Sequence, residues 1–186
     1  MSKSSKGSAF EREISKILTR WVSGKDEPVL FWRVPGSGGL LTRNYLIGEA
    51  FSGDIRAVLP EATWVTDIFS IEAKNGYPGG SFDKHLKNNK SDEIKGFWEQ
   101  CVRDANVNEK KPLLIWRKKG LSPWIGVTED VKDFISGNLN IRFVHLGWNE
   151  DDDLPDIYFF DMKKFFELLD SEQVKEHFKN EIHQDK

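Results

Sequence analysis

The chain holds 186 residues, 38% hydrophobic, 31% charged and 12% aromatic, with a formal charge of −3. That length suits one domain, and seven Trp, thirteen Phe and three Tyr supply enough large side chains for a core, which excludes disorder along the whole length. A single cysteine, Cys101, excludes an internal disulfide and a four-cysteine zinc site, and no apolar run nears the roughly 20 residues of a membrane helix.

Met1 to Phe10 contains lysines but no apolar stretch, so the expectation is a cytoplasmic protein without a secretion signal. The charge is uneven: residues 1–60 carry +3, residues 61–120 carry +2 and residues 121–186 carry −8. Only the first two thirds could present a basic surface to phosphates.

Phe10, Ile14, Ile17, Leu18 and Trp21 recur at helical spacing and predict an amphipathic helix over residues 8–22, with Ser8 and Glu11 as a capping box. Val29 to Val34 reads as a short strand closed by the loop Pro35-Gly36-Ser37-Gly38-Gly39. Gly53 to Leu59 and Trp64 to Lys74 read as two strands joined as a hairpin, the second apolar on both faces and therefore central in its sheet. Asn75 to Lys90 is a long polar loop. Ser91 to Ala105 returns to helical spacing, with Gly96 weakening it by about 1 kcal/mol. Strands at Pro112 to Arg117, Trp124 to Val127, Ile141 to Leu146 and Asp156 to Phe160 follow, with a helix at Thr128 to Ile135 between them. Met162 to Ile182 reads as one or two helices breaking near Leu169-Asp170-Ser171. The order is that of one α/β domain.

The chemistry concentrates in Gly53-Asp54-Ile55 and Ile71-Glu72-Ala73-Lys74. Side chains two apart in a strand share a face, so Glu72 and Lys74 point the same way with alpha carbons about 6.6 Å apart. A carboxylate and an ammonium on a covered strand are costly to bury, and a magnesium ion on Asp54 and Glu72 would supply a purpose, since it takes one or two carboxylates plus water and substrate phosphate. Lys74 beside it could hold a water in line with phosphorus. A five-residue connection, Pro60 to Trp64, would set Asp54 across from Ser70 and diagonal to Glu72.

The order Lys6-Gly7-x-x-Phe10-Glu11-Arg12-Glu13, Arg33-Val-Pro-Gly36-Ser37-Gly38, Gly53-Asp54-Ile55, Ile71-Glu72-Ala73-Lys74 resembles the archaeal-type Holliday junction resolvases of the PD-(D/E)xK nuclease superfamily. The resemblance covers residues 6–117, through Gln100 and the strand after Lys111-Pro112. It implies a restriction-endonuclease-like α/β fold, a mixed central sheet flanked by helices. Residues 1–186 would form one domain, 118–186 being an acidic α/β extension packed on the core. It implies Asp54 and Glu72 as metal ligands, Glu11 as the helix carboxylate assisting them, Lys74 as the catalytic lysine, and Ser37 and Gln100 as further catalytic residues. DNA contacts would come from Lys6, Arg12, Arg33, Ser37 and Gly38, joined by Lys84 and Lys87 of the long loop.

The implied reaction is hydrolysis of a DNA phosphodiester with Mg2+, Mn2+ substituting, to a 5′-phosphate and a 3′-hydroxyl. A four-way junction has two-fold symmetry and must be cut twice, which a homodimer would match. Two alternatives stay open: a nuclease of the same fold acting on linear duplex, flaps or single strands, and a DNA-binding module without catalysis.

Plainer roles accompany these. Glu11 fits the capping box as well as the site, with Glu13 on the opposite edge of the apolar stripe as its substitute. Ser37 fits a simple turn. His85, His145, His177 and His183 lack helical metal spacing, Glu150 to Asp153 lacks calcium-loop spacing, and Phe159, Phe160, Phe165 and Phe166 read as core.

Overall fold

The computed structural model describes residues 3–34, 53–77, 81–82, 93–148 and 153–182. Helix α1 spans Lys3–Ser23 and buries Phe10, Ile14 and Leu18 at the predicted spacing. It starts a turn and more before Ser8, because Lys3 to Gly7 contains no strong helix breaker, so Ser8 and Glu11 lie inside the helix and form no capping box. Its buried Thr19 accepts from the Leu30 N–H at 3.1 Å, tying α1 to the following segment.

Strand β1 (Phe31–Arg33) pairs antiparallel with β2 (Ile55–Ala57), Arg33 facing Ile55. The expected hairpin to the next strand does not form. A 3-10 turn at Pro60–Ala62 leads into α2 (Thr63–Ile68), and strand β3 covers Phe69–Asn75. Trp64, Val65 and Ile68 are buried on one helical face, a spacing that also suits a strand covered on both sides, and Pro60 favours a helical first turn.

Helix α3 (Glu93–Asn106) connects β3 to the parallel strand β4 (Lys111–Arg117). Strand β5 (Trp124–Val127), helix α4 (Glu129–Asn138), strands β6 (Phe143–Leu146) and β7 (Ile157–Asp161), and helices α5 (Met162–Leu168) and α6 (Ser171–Ile182) complete the described chain. The five-stranded sheet runs β3-β4-β5-β7-β6, antiparallel after the first pair.

Both faces of this sheet are covered. Ile71, Leu113, Ile115, Ile125 and Phe160 pack with α1, α2, α4, α5 and α6, whereas Leu114, Trp116, Ile157 and Phe159 pack with Ile94, Trp98 and Cys101 of α3. Double coverage explains why β4 and β7 read as continuous apolar runs. Phe159, Phe160 and Phe165 are buried. The mixed sheet flanked by helices is that of a restriction-endonuclease-like fold. β3 is covered as expected, yet it ends the five-stranded sheet rather than occupying its centre; what meets its outer edge is the chain entering β2.

Candidate active site

Gly53 has φ +84°, and a Cβ there would lie 2.5 Å from the Ile71 carbonyl oxygen and 2.8 Å from the Ile71 nitrogen. Only glycine combines that left-handed backbone with so close an approach to β3. The next residue docks on the strand edge: the Asp54 N–H donates to Ile71 O at 2.7 Å, and Asp54 Oδ2 accepts from the Ala73 N–H at 2.9 Å. The Asp54 carbonyl accepts from Val34 N–H at 2.8 Å, joining the β1–β2 pair to the same point. Asp54 therefore brackets Glu72 through its two neighbours, and its position across from Ser70, expected from a hairpin, is replaced by this edge contact. A sequence register argument had no access to a contact made through the backbone of a turn.

Glu72 and Lys74 share the face of β3 turned to α3. The Lys74 ammonium donates to Glu72 Oε1 and, at 3.0 Å, to Gln100 Oε1, and Gln100 Nε2 donates to Glu72 Oε1 at 2.9 Å. Gln100 thus reaches the site despite lying off the centre of its helix's apolar stripe. Beneath this triangle the Cys101 thiol is fully enclosed, and burial pushes its pKa up.

On the other side of the β3 edge, α1 brings Glu11. Arg33 Nη1 lies 3.5 Å from Glu11 Oε2 and donates to Ser8 Oγ at 3.4 Å. Arg12 is exposed on α1, and Lys6 lies in the same helix. Glu13 turns away, accepting from Arg117 Nη1 with both oxygens at 2.9 Å. Ser37, Gly38, Lys84 and Lys87 lie outside the described residues.

The charge of Asp54 bears on both glutamates. Burial, then the charge of Asp54, pushes the Glu72 carboxyl up to about 7. The same two causes raise Glu11, with Arg33 opposing them. Burial works against the Lys74 ammonium, but Glu72 outweighs it and keeps lysine charged more firmly than usual. Among the described residues nothing hydrogen-bonds to Asp54 Oδ1 or Glu72 Oε2, and no three acidic, imidazole or thiol side chains are close enough to enclose an ion by themselves. Two carboxylates with free hard oxygens, one of them poised between protonated and charged, fit a divalent cation that completes its shell with water and phosphate.

In the sequence Gly53 stands in the Gly-Asp-Ile motif with no role of its own. The signal was present, a glycine directly before a candidate carboxylate ligand, but the close approach it allows depends on where β3 lies. Arg117 reads in the sequence only as the end of a strand: besides Glu13 it donates from Nε to Asn75 Oδ1 at 3.1 Å and stacks 4.2 Å from the centroid of Phe10, clamping α1 to the end of the site strand.

No helix among the described residues is long and apolar enough to cross a membrane. No solved structure matches the chain. Protein D14 of Escherichia phage T5 is 28% identical over 148 residues, 79% of this chain and 82% of that protein. The sequence profile of the family described as "phage putative PDDEXK endonuclease" matches residues 2–176, so the match runs past the 6–117 spanned by the motifs and through β7 and α5 into α6. With a match over nearly its whole length, the chain belongs to this family of PDDEXK nucleases, enzymes that act on DNA and generally use divalent metals.

Proposed function

We propose that the protein is a magnesium-dependent endonuclease that hydrolyses DNA phosphodiester bonds, manganese substituting, to leave a 5′-phosphate and a 3′-hydroxyl. The observation that carries this reading is the convergence of Asp54, Glu72, Lys74 and Gln100 on one buried strand edge. Asp54 Oδ1 and Glu72 Oε2 are the oxygens that would hold the cation, with Glu11 assisting from α1. The bound ion would neutralise phosphate charge and lower the pKa of a water.

The remaining chemistry belongs to the chain. An ammonium has three N–H donors; Lys74 uses two on Glu72 and Gln100, and the third is left for an attacking water or the phosphate oxygen on which charge grows as the P–O3′ bond breaks. Gln100 fixes the lysine by accepting from it while donating to its carboxylate partner, so the ammonium is oriented before substrate arrives. Arg33, held at Glu11, and exposed Arg12 supply cations for the flanking phosphates, with Lys6, Ser37, Gly38, Lys84 and Lys87 extending that contact. Binding of this kind is salt-sensitive and largely independent of sequence.

The motif order shared with archaeal-type resolvases favours a four-way junction as substrate and, from its symmetry, a homodimer with two sites. Family membership is equally compatible with cleavage of linear duplex, flaps or single strands, and the usable chemistry of Glu11, Asp54, Glu72 and Lys74 speaks against a silent binding module. The test is cleavage of a panel of branched and linear DNAs, with and without Mg2+, by wild type, Glu72→Ala and Lys74→Ala. Cleavage that needs Mg2+ and disappears in both variants supports the nuclease reading, and undiminished cleavage by Glu72→Ala overturns the site. Equal or better cutting of plain duplex removes the resolvase specificity while leaving the nuclease in place.

A further inference from the structure

Directly beyond Lys74, β3 ends at Asn75, and Gly76 turns the chain. Its φ is +81° and its N–H donates to Arg117 O at 2.9 Å. This turn delivers Tyr77 onto α3, where its ring packs edge-on against Phe97 with centroids 4.8 Å apart. Lys74 Nζ lies 5.9 Å from the centroid of the same Phe97 ring. Tyr77 nevertheless remains 42% exposed.

Phe97 holds the ring by an edge contact, which leaves the rest of Tyr77 available to a further partner. Because the Lys74 ammonium and the Tyr77 ring both lie against Phe97, the ring centroid is within about 11 Å of the ammonium, so whatever meets the ring is within a nucleotide or two of a phosphate held at Lys74. A phosphate has no use for a π-face; a nucleobase does. In a continuous duplex each base is covered by its neighbours and unstacking one costs a few kcal/mol, so the ring stacks most readily on a base already released from the helix.

Resting on the nuclease reading, we propose that Tyr77 is a specificity-determining residue that stacks on an unpaired nucleobase next to the scissile phosphate, so that the enzyme favours DNA opened at the cut site over continuous duplex. Stacking of a base on an aromatic side chain changes affinity by about 5- to 150-fold per base.

The experiment uses the full chain and two oligonucleotides of equal length, a fork carrying 2-aminopurine as its first unpaired base and the matched duplex, in Ca2+ to hold cleavage off. Wild type is expected to bind the fork more tightly and quench the probe. Tyr77→Ala should lose about tenfold in fork affinity, little in duplex affinity, and the quench, while Tyr77→Phe should keep all three. The inference is overturned if Tyr77→Ala binds and quenches the fork like wild type, or weakens fork and duplex alike. The two readings fail separately: Mg2+-dependent cleavage sensitive to Glu72→Ala but indifferent to Tyr77→Ala removes only the stacking role. A Tyr77-dependent quench without any cleavage removes only the nuclease.

Discussion

At one end of the five-stranded sheet, β3 carries Glu72 and Lys74 with side chains 4% and 14% exposed; at the other end, β6 carries His145, whose contact with Asp156 at 2.7 Å leaves the side chains 46% and 42% exposed. The second arrangement costs the fold almost nothing, because water solvates both groups whether or not they meet. The first takes two charges out of water, and adds the charge of Asp54 against Glu72. Such a cluster contributes little net stability. It is held in place by the Gly53 turn, the Asp54 side-chain bond to Ala73 and the Gln100 bridge, which is the pattern expected where geometry rather than stability is being maintained. A carboxylate beside a nitrogen donor therefore means different things at the two edges.

The strongest way to break that contrast is to remove a charge at each end. Glu72→Ala or Lys74→Ala should lower cleavage by at least about 10³-fold, whereas Asp156→Asn at the far edge should leave it within about twofold; matched cleavage assays on one DNA decide this, and comparable losses at both edges would dissolve the distinction. Glycines give a second contrast. Gly53→Ala forces a Cβ into the Ile71 backbone in a left-handed conformation and should cost about 2–4 kcal/mol, lowering Tm by roughly 5–15 °C. Gly137→Ala in α4 meets nothing within 4 Å and should raise Tm slightly, since alanine is favoured in a helix by up to about 1 kcal/mol.

Proton linkage sharpens the same point. The Glu72 carboxyl titrates near 7 in the folded protein against 4.5 ordinarily. As pH rises from 4.5 to 7 the unfolded chain releases this proton first, so the metal-free protein should lose on the order of 1–3 kcal/mol of stability across that window. Denaturant titrations should show the loss in wild type, its absence in Glu72→Gln, and its offset by Mg2+ at pH 8; parallel profiles for the two proteins would mean that burial does not perturb this group. The smallest effect is expected at β6, where Asp156→Asn should shift stability by no more than about 0.5 kcal/mol.

How much of this could be read without coordinates varies along the chain. The helix around Phe10, Ile14 and Leu18, the strands at 112–117 and 124–127 and the helix break near Asp170 followed from periodicity and composition, because each depends on neighbours in sequence. The segment 64–68 did not, since buried residues at 64, 65 and 68 satisfy a helix as well as a doubly covered strand. Ser8 and Glu11 matched a capping motif, yet a motif does not say that the helix starts there, and α1 runs back to Lys3.

By itself the sequence supplied the candidates Glu11, Asp54, Glu72, Lys74 and Gln100 in their order, Glu11 and Gln100 through the resemblance, and the pairing of Glu72 with Lys74 on one face, which follows from the two-residue period of a strand. Only the tertiary structure decided that β3 ends its sheet, that Gly53 allows Asp54 to seal that edge, that Gln100 closes onto the lysine, and that Arg117 and Tyr77 stand nearby. The physical reason is that these relations pass through contacts between residues distant in sequence, where close approach of backbones and loss of solvent, rather than any local preference, set which groups meet and how their charges titrate.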